Sequence, residues 1–368
     1  MNDAGFIQAR AAAGQFLQPM EIRSVNPIGS GHIHQTFLVS PVSDKKPKLV
    51  LQKFNTYVFR DPDAVMQNLF LITSHIRKKV ENSRGEGAGM LVLEPVKTLT
   101  GENYFVDAEG SVWRCLLYIP DTVSYDRAPD TAVVYEGGKA FGTFIRLLSD
   151  LPAENVKTTI PEFHNLDFRL EQFHQAMRDG LKDRCEETSS EIKMILEREE
   201  QMKLIRKLAQ RGLIPLRVVH HDTKINNVLF SARKKALCVI DMDTVMPGFV
   251  HDDFGDAIRT FTNTGEEDDP DLSRISMNLS FFEAFAEGFL GAAGDMLTPL
   301  EKEYLPLSAL VMTYMQTIRF LTDYMNGDTY YKIHHPKHNL HRTKAQMQLL
   351  LSMEQQFPAM QEIVKRFS

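Results

Sequence analysis

His220-His221-Asp222-Thr223-Lys224-Ile225-Asn226-Asn227-Val228-Leu229-Phe230, followed by Ala236-Leu237-Cys238-Val239-Ile240-Asp241-Met242-Asp243, is the stretch that decides the fold. Val228 to Phe230 and Ala236 to Ile240 are short β-like runs on either side of the basic turn Ser231-Ala232-Arg233-Lys234-Lys235, and they read as a small hairpin. That hairpin returns Asp241 beside Asp222 and Asn227, which share one loop. Phosphoryl transfer needs a carboxylate against the attacking hydroxyl and oxygen ligands for the magnesium that neutralises nucleotide phosphates. Asp222 is the candidate base, Asn227 and Asp241 are the candidate metal ligands, and Lys224 is placed to stabilise charge on the transferring group. The competing reading, in which Asp and Asn merely cap turns, accounts less well for a strand-flanked combination of all three elements.

The order His-x-Asp, with Asn five residues after the Asp, is the pattern of a kinase catalytic loop, and it predicts a glycine loop upstream. Ile28-Gly29-Ser30-Gly31-His32-Ile33 supplies one between two β-like runs, where glycines let the backbone approach phosphate oxygens. Gly29, Ser30, Gly31 and His32 are therefore candidate nucleotide contacts. A phosphate-binding cation is expected on the third strand, where the run Leu49-Val50-Leu51 places Gln52, with Lys53 one residue later. Successive strand residues point to opposite faces, so only one of Gln52 and Lys53 faces the nucleotide. The helix after that strand carries Gln67 and Asn68 in its middle turns, with no evident Glu to pair with a lysine. Asp243 is open among a metal ligand, a substrate contact and a supporting carboxylate.

The rest of the chain fits two lobes. At 368 residues the length suggests two domains of roughly 150 residues or somewhat more. Residues 1–119 read as an antiparallel five-stranded lobe with a helix between strands three and four. Asp61-Pro62 starts that helix, Val65, Leu69, Ile72 and Ile76 recur at helical spacing, and the glycine-rich Ser83 to Gly89 ends it. Residues 120–368 turn to long, charged, helix-favouring stretches such as Leu166 to Arg211 and Ser273 to Leu290.

Composition narrows the function classes. Hydrophobic residues at 43% and charged residues at 24% describe a folded globular chain. With 42 Lys and Arg against 48 Asp and Glu, the net charge of -6 provides no excess of cations for a nucleic-acid backbone. No run approaches the ~18 apolar residues of a spanning helix. The segment Met1 to Met20 lacks a signal-like apolar core. The three cysteines, Cys115, Cys185 and Cys238, have no metal or redox spacing. A cytoplasmic enzyme without a nucleic-acid or membrane partner is the expectation.

These stretches resemble the aminoglycoside phosphotransferase and choline kinase superfamily. Within it the chain is most similar to the N-acetylhexosamine 1-kinases, through Leu51-Gln52-Lys53-Phe54-Asn55, Ile160-Pro161-Glu162-Phe163-His164, Asp241-Met242-Asp243-Thr244-Val245-Met246-Pro247-Gly248 and Arg319-Phe320-Leu321-Thr322-Asp323-Tyr324. The resemblance implies an α+β, two-lobed protein-kinase-like fold, with a small antiparallel-sheet lobe and a large mainly helical lobe. It also implies ATP- and Mg2+-dependent phosphorylation of a sugar at its anomeric hydroxyl. Arg319 and Tyr330 would then reach the sugar, with Asp243 counted among candidate acceptor contacts. Other acceptors, such as choline, an aminoglycoside or an amino alcohol, and a nucleotide-binding pseudokinase are the alternatives. Asp253-Phe254-Gly255 reads as a helix start, with Asp253 or Asp256 capping and Arg259 pairing with a loop carboxylate. His334-His335-Pro336-Lys337-His338-Asn339-Leu340-His341 reads as a polar loop or helix start rather than a metal site.

Overall fold

The computed structural model describes residues 3–29, 33–82 and 90–368. Ser30, Gly31 and His32, and the break Ser83 to Gly89, lie outside the described residues. The first element is a helix, α1 (Asp3–Ala13), ahead of the strands expected from Ile22 onward. The strands that follow are β1 (Ile22–Pro27), β2 (Gln35–Pro41), β3 (Leu49–Lys53), β4 (Pro95–Val96), β5 (Phe105–Val106) and β6 (Val112–Leu117), with α2 (Pro62–Asn82) between β3 and β4. They form one antiparallel sheet in the order β1-β2-β3-β6-β4, with β5 also paired to β6. The sheet thus has six strands rather than five, because the two-residue β4 is too short for an alternating pattern to betray it.

Alternation sorts the sheet into two faces. Phe37, Val39, Leu49, Leu51, Trp113 and Cys115 point to one side and bury themselves against Ala9, Ala12, Ala13 and Phe16, which is why α1 docks there. On the other side Val50 and Leu116 join Met66, Leu69, Ile72 and Ile76 of α2 in a core continuous with that of the helical lobe. Asp61 caps α2 by accepting from the Ala64 N–H (3.0 Å). Asn68, in the middle of α2, donates to the carbonyls of Lys157 (2.7 Å) and Val245 (3.2 Å), so this carboxamide ties the lobes together where a glutamate was sought.

The helical lobe comprises α3 (Thr131–Leu147), α4 (Leu166–Asp179), α5 (Lys182–Glu187), α6 (Ser189–Met202), α7 (Leu204–Gln210), α8 (Val250–Phe261), α9 (Leu279–Ala293), α10 (Pro299–Met325) and α11 (His338–Phe367). Embedded among them are the expected hairpin, β8 (Val228–Phe230) with β9 (Ala236–Val239), and a second antiparallel pair, β7 (Arg217–Val219) with β10 (Met246–Gly248). The histidine-rich segment is a helix start, since α11 begins at His338, whose ring accepts from the His334 N–H (3.2 Å) and bonds Asp268 (2.7 Å). No helix among the described residues is long and apolar enough to cross a membrane.

Glycines set how closely α3 and α9 approach. A Cβ on Gly138 would stand 2.3 Å from the Phe285 carbonyl oxygen, and one on Gly288 would stand 2.2 Å from that of Tyr135. Gly138→Ala is therefore expected to overpack this crossing and lower stability by about 1–3 kcal/mol. Gly291→Ala, on an open face of the same α9, should be neutral or stabilise by up to ~1 kcal/mol. Urea midpoints at unchanged slope measure both, and equal effects at the two positions would refute the close approach.

Candidate active site

β7 delivers the chain into the loop that carries Asp222, and α8 holds that loop from beneath. The Asp253 carboxylate accepts from the backbone N–H groups of His220 (2.8 Å) and His221 (2.7 Å), and Asp256 accepts from that of Thr223 (3.1 Å). Burial pushes the Asp253 carboxyl up to about 8, although the two N–H donors pull the other way. The cap of α8 is Asp252, which accepts from the Phe249 N–H (3.0 Å), so neither Asp253 nor Asp256 plays the capping part expected from sequence. Both are committed to the Asp222 loop. Arg259 pairs with Asp256 (2.9 Å) and with the loop residue Glu267 (3.2 Å).

His220 is fully buried against Phe141 and Phe144 and works as a staple. Its Nε2 bonds the Ile240 carbonyl (3.0 Å) and its Nδ1 accepts from the Asp222 N–H (3.3 Å), which joins the loop to the end of β9. Burial lowers its basicity, and with both ring nitrogens held by backbone groups the imidazole positions the loop. Asn227 Nδ2 donates to the Asp222 carbonyl (2.8 Å) and to its Oδ2 (2.9 Å). Lys224 Nζ lies 3.0 Å from the other carboxylate oxygen. Burial works against the Lys224 charge, but Asp222 outweighs it and raises the ammonium. Asp222, Asn227 and Lys224 thus meet as the sequence spacing predicts.

Asp241 follows β9 with φ +60, and His221 precedes Asp222 with φ +65, a left-handed backbone that costs a residue with a Cβ and concentrates at functional sites. The Asp241 carboxylate is open to the cleft. Partial dehydration, followed by the negative charges of Asp243 and Asp222, shifts its titration upward. Asp243 is 2% exposed and both of its oxygens are taken. Arg114 on β6 binds them bidentately, with 2.8 Å to Oδ2, and His34 Nε2 lies 2.7 Å from Oδ2. The structure makes Asp243 a buried tie between the lobes, and it is not among the residues lining the cavity below Asp222. Burial acts to raise its carboxyl, but Arg114 and then His34 overcome this and hold it below the ordinary carboxylate range.

The register of β3 separates Gln52 from Lys53. Gln52 pairs with Thr36 and Arg114 on the face toward the helical lobe, accepting from Arg114 Nε (2.8 Å). Lys53 points to the α1 side, where its amine donates to Gln8 (2.9 Å) and sits 5.6 Å from the Trp113 ring centre. The cation on the cleft wall is therefore Arg114, one strand over on β6 rather than on the third strand. Its partners Gln52 and Asp243 were in view, but the pairing that joins them exists only in the sheet.

Below Asp222 opens a cavity of about 220 Å³ lined among others by Phe163, His164, Lys224, Arg259, Arg319 and Tyr331. Arg319 stands over the rings of Phe163 (5.7 Å) and Tyr331 (5.6 Å) and donates to Gln316 (3.1 Å). Tyr330, by contrast, is 67% exposed and lines an adjoining hollow of about 490 Å³ rather than this cavity, so the tyrosine brought to Asp222 is its neighbour Tyr331. Asp323 explains the turn that does this, accepting from the N–H groups of Thr329, Tyr330 and Tyr331 at 2.8–2.9 Å. Of Gly29, Ser30, Gly31 and His32, only Gly29 falls within the described residues, at φ +76.

Residues 24–292 match the family model described as the phosphotransferase enzyme family. The chain belongs to that family. Solved structures share the fold across nearly the whole length. A microcompartment-associated aminopropanol kinase aligns with a TM-score of 0.66 at 15% identity, covering 96% of this chain and 98% of its own. An aminoglycoside phosphotransferase from Alicyclobacillus acidocaldarius gives 0.64 at 10% identity, covering 97% and 96%. A choline kinase from Cryptosporidium parvum gives 0.58 at 14%, covering 97% of each. The two-lobed architecture is that of this phosphotransferase family, and the chain is read as a small-molecule kinase of it.

Asp243 supplies a test of the lobe tie. Asp243→Asn leaves the buried Arg114 guanidinium without its counter-charge and should cost about 3–5 kcal/mol in urea unfolding. Adding Arg114→Met should recover part of that loss. Because the folded carboxyl is held low, its stabilisation is complete above the unfolded value near 3.9 and disappears as pH falls below it. The parent should accordingly lose more stability than Asp243→Asn between about pH 5 and pH 3, and parallel losses would remove Asp243 from this role.

Proposed function

We propose that the chain is an ATP- and magnesium-dependent kinase that phosphorylates the anomeric hydroxyl of an N-acetylhexosamine, N-acetylglucosamine or N-acetylgalactosamine, to the sugar 1-phosphate. The observation that carries the acceptor class is the balance of charge in the cavity at Asp222. Each lining carboxylate has a cation: Asp222 has Lys224, while Asp256 and Glu267 share Arg259. Arg319 is the lining cation with no carboxylate partner among the described residues. A quaternary or primary ammonium acceptor would meet an uncompensated guanidinium there. A neutral polyol finds hydrogen-bond donors and two aromatic faces. The cavity is also smaller than the ~300–1,000 Å³ of drug-sized sites, which favours a single ring over an aminoglycoside.

In this reading Asp222 orients and deprotonates the acceptor hydroxyl, its carboxylate fixed by Asn227 and Lys224. Asn227 and Asp241 are the residues that would hold magnesium. The donor set fits: Asn227 turns Nδ2 toward Asp222 and leaves Oδ1 for a cation, and Asp241 brings a carboxylate whose repulsion from Asp222 and Asp243 a cation relieves. When bound, the ion neutralises charge on the nucleotide phosphates. Gly29 is the residue of the proposed phosphate loop that falls within the described structure, and Gln52 with Arg114 closes the sheet side.

Two experiments test the acceptor. Given ATP, magnesium and a panel of N-acetylhexosamines, plain hexoses, choline and aminoglycosides, the enzyme should turn over an N-acetylhexosamine fastest and give a non-reducing 1-phosphate. A reducing 6-phosphate, or faster phosphorylation of choline or an aminoglycoside, overturns the assignment; nucleotide binding without turnover of any acceptor points to a pseudokinase. In steady-state kinetics Arg319→Ala should raise the sugar KM about 10-fold or more and leave the ATP KM nearly unchanged, as a lost charged hydrogen bond costs ~1.5–3 kcal/mol. An effect on ATP alone would take Arg319 out of the acceptor site.

A further inference from the structure

We propose that His164, His221 and Asp252 form a binding site for a divalent first-row transition cation of the zinc class, separate from the candidate magnesium ligands Asn227 and Asp241. One atom from each of the three side chains falls within 4.8 Å of the others, and no other such trio of His, Cys, Asp or Glu occurs among the described residues. The trio joins three separate elements: the segment before α4, the catalytic loop, and the first turn of α8.

The imidazole geometry is that of a shared ligand pair. Nδ1 of His164 and Nδ1 of His221 are 3.1 Å apart. Two nitrogens bound at ~2.0–2.1 Å to one ion, at angles between octahedral and tetrahedral, stand about 2.8–3.4 Å apart. His221 Nε2 lies 3.3 Å from the Pro247 carbonyl oxygen, which only accepts, so Nε2 carries the ring proton and the lone pair of Nδ1 points at His164. Without an ion, His164 must place its own proton on Nδ1 to avoid two opposed lone pairs. With one, both lone pairs bind it, and the N–H to Pro247 is the outer contact that orients metal-bound histidines. Asp252 is held in the same way, one oxygen accepting from the Phe249 N–H, which leaves its other oxygen for an ion.

The site is also rigid. The His221 backbone is pinned in its left-handed conformation by Asp253, and its ring packs where β10 offers only a glycine: a Cβ on Gly248 would lie 2.5 Å from two ring atoms. His164 is stacked on Phe163 at 4.5 Å between ring centres. The histidines at 334, 335, 338 and 341 make no comparable site, because both nitrogens of His338 are spent on Asp268 and the His334 N–H. Two imidazoles and one carboxylate select zinc, cobalt or nickel over magnesium, which prefers oxygen ligands.

The test is a cobalt titration of the full chain after chelator treatment and dialysis, followed by visible d–d absorption and by metal analysis. One cobalt per chain is expected, with nitrogen-type d–d bands that zinc abolishes and a large excess of magnesium does not. His164→Phe, which preserves the stack on Phe163, and Asp252→Asn, which keeps an acceptor for Phe249, should each weaken cobalt binding by at least about 10-fold, the lower end of what even an outer-shell loss costs. The His335→Asn, His341→Asn double variant should bind as the parent does. Circular dichroism establishes that each variant is folded, and the two ligand variants serve as independent checks should one of them fail to fold. Absence of a d–d spectrum, displacement by magnesium, or unchanged affinity in whichever ligand variants fold overturns the proposal.

Discussion

The carboxylate of Asp253, buried beneath the Asp222 loop and accepting from the backbone N–H groups of His220 and His221, is the contact on which the cleft depends. A loop whose His221 has left-handed backbone has no ladder to satisfy its donors, and buried N–H groups left unpaired cost more than most side-chain contacts return. α8 resolves this by presenting Asp253 and Asp256 from successive turns, so the loop is bound to a helix as a strand is bound to its neighbour. The Thr223 hydroxyl completes the seam by donating to the Asp253 carbonyl (2.7 Å). Asp222 inherits its position from this seam rather than from its own loop.

A second carboxylate does for the two lobes what Asp253 does for the loop. Asp243 engages Arg114 from the sheet and His34 from the segment leading into β2, while Asn68 of α2 reaches the Val245 carbonyl nearby. Charge that a conventional lysine would place on the third strand is relocated to β6 and anchored on the same turn that carries Asp241. Any change of charge at the cleft wall is thus coupled to the candidate metal ligand two residues away. Buried ion pairs of this kind are poor sources of net stability, but they define one arrangement sharply, because removal of either member strands the other.

The proposed acceptor side rests on what is left unpaired. Lys224 and Arg259 are spent on carboxylates, and Arg319 retains its charge for whatever enters, framed by Phe163 and Tyr331. The related folds include a choline kinase and an aminopropanol kinase at 14–15% identity, and that resemblance extends to architecture alone. Specificity within such a fold resides in local charge and shape, which fold similarity does not transmit.

Sequence by itself determined the elements whose signals are local. The H-x-D loop with Asn227, the hairpin returning Asp241, the spacing of α2 and the change from sheet to helices were all legible because turn residues, β-branched runs and helical periodicity act over a few positions. The tertiary structure alone decided what depends on register and on partners distant in the chain. Whether Gln52 or Lys53 faces the cleft follows from which side of the sheet α1 covers. That the cation on the cleft face of the sheet is Arg114 follows from β6 lying beside β3, which pairs Gln52 with Arg114 across 62 positions of chain. That Tyr331 and not Tyr330 lines the cavity follows from Asp323 fixing the turn after α10, and that His164 meets His221 follows from packing across 57 residues of chain. Side-chain direction in each case is set by a contact whose two halves share no local pattern, which is why composition and spacing carry no trace of it.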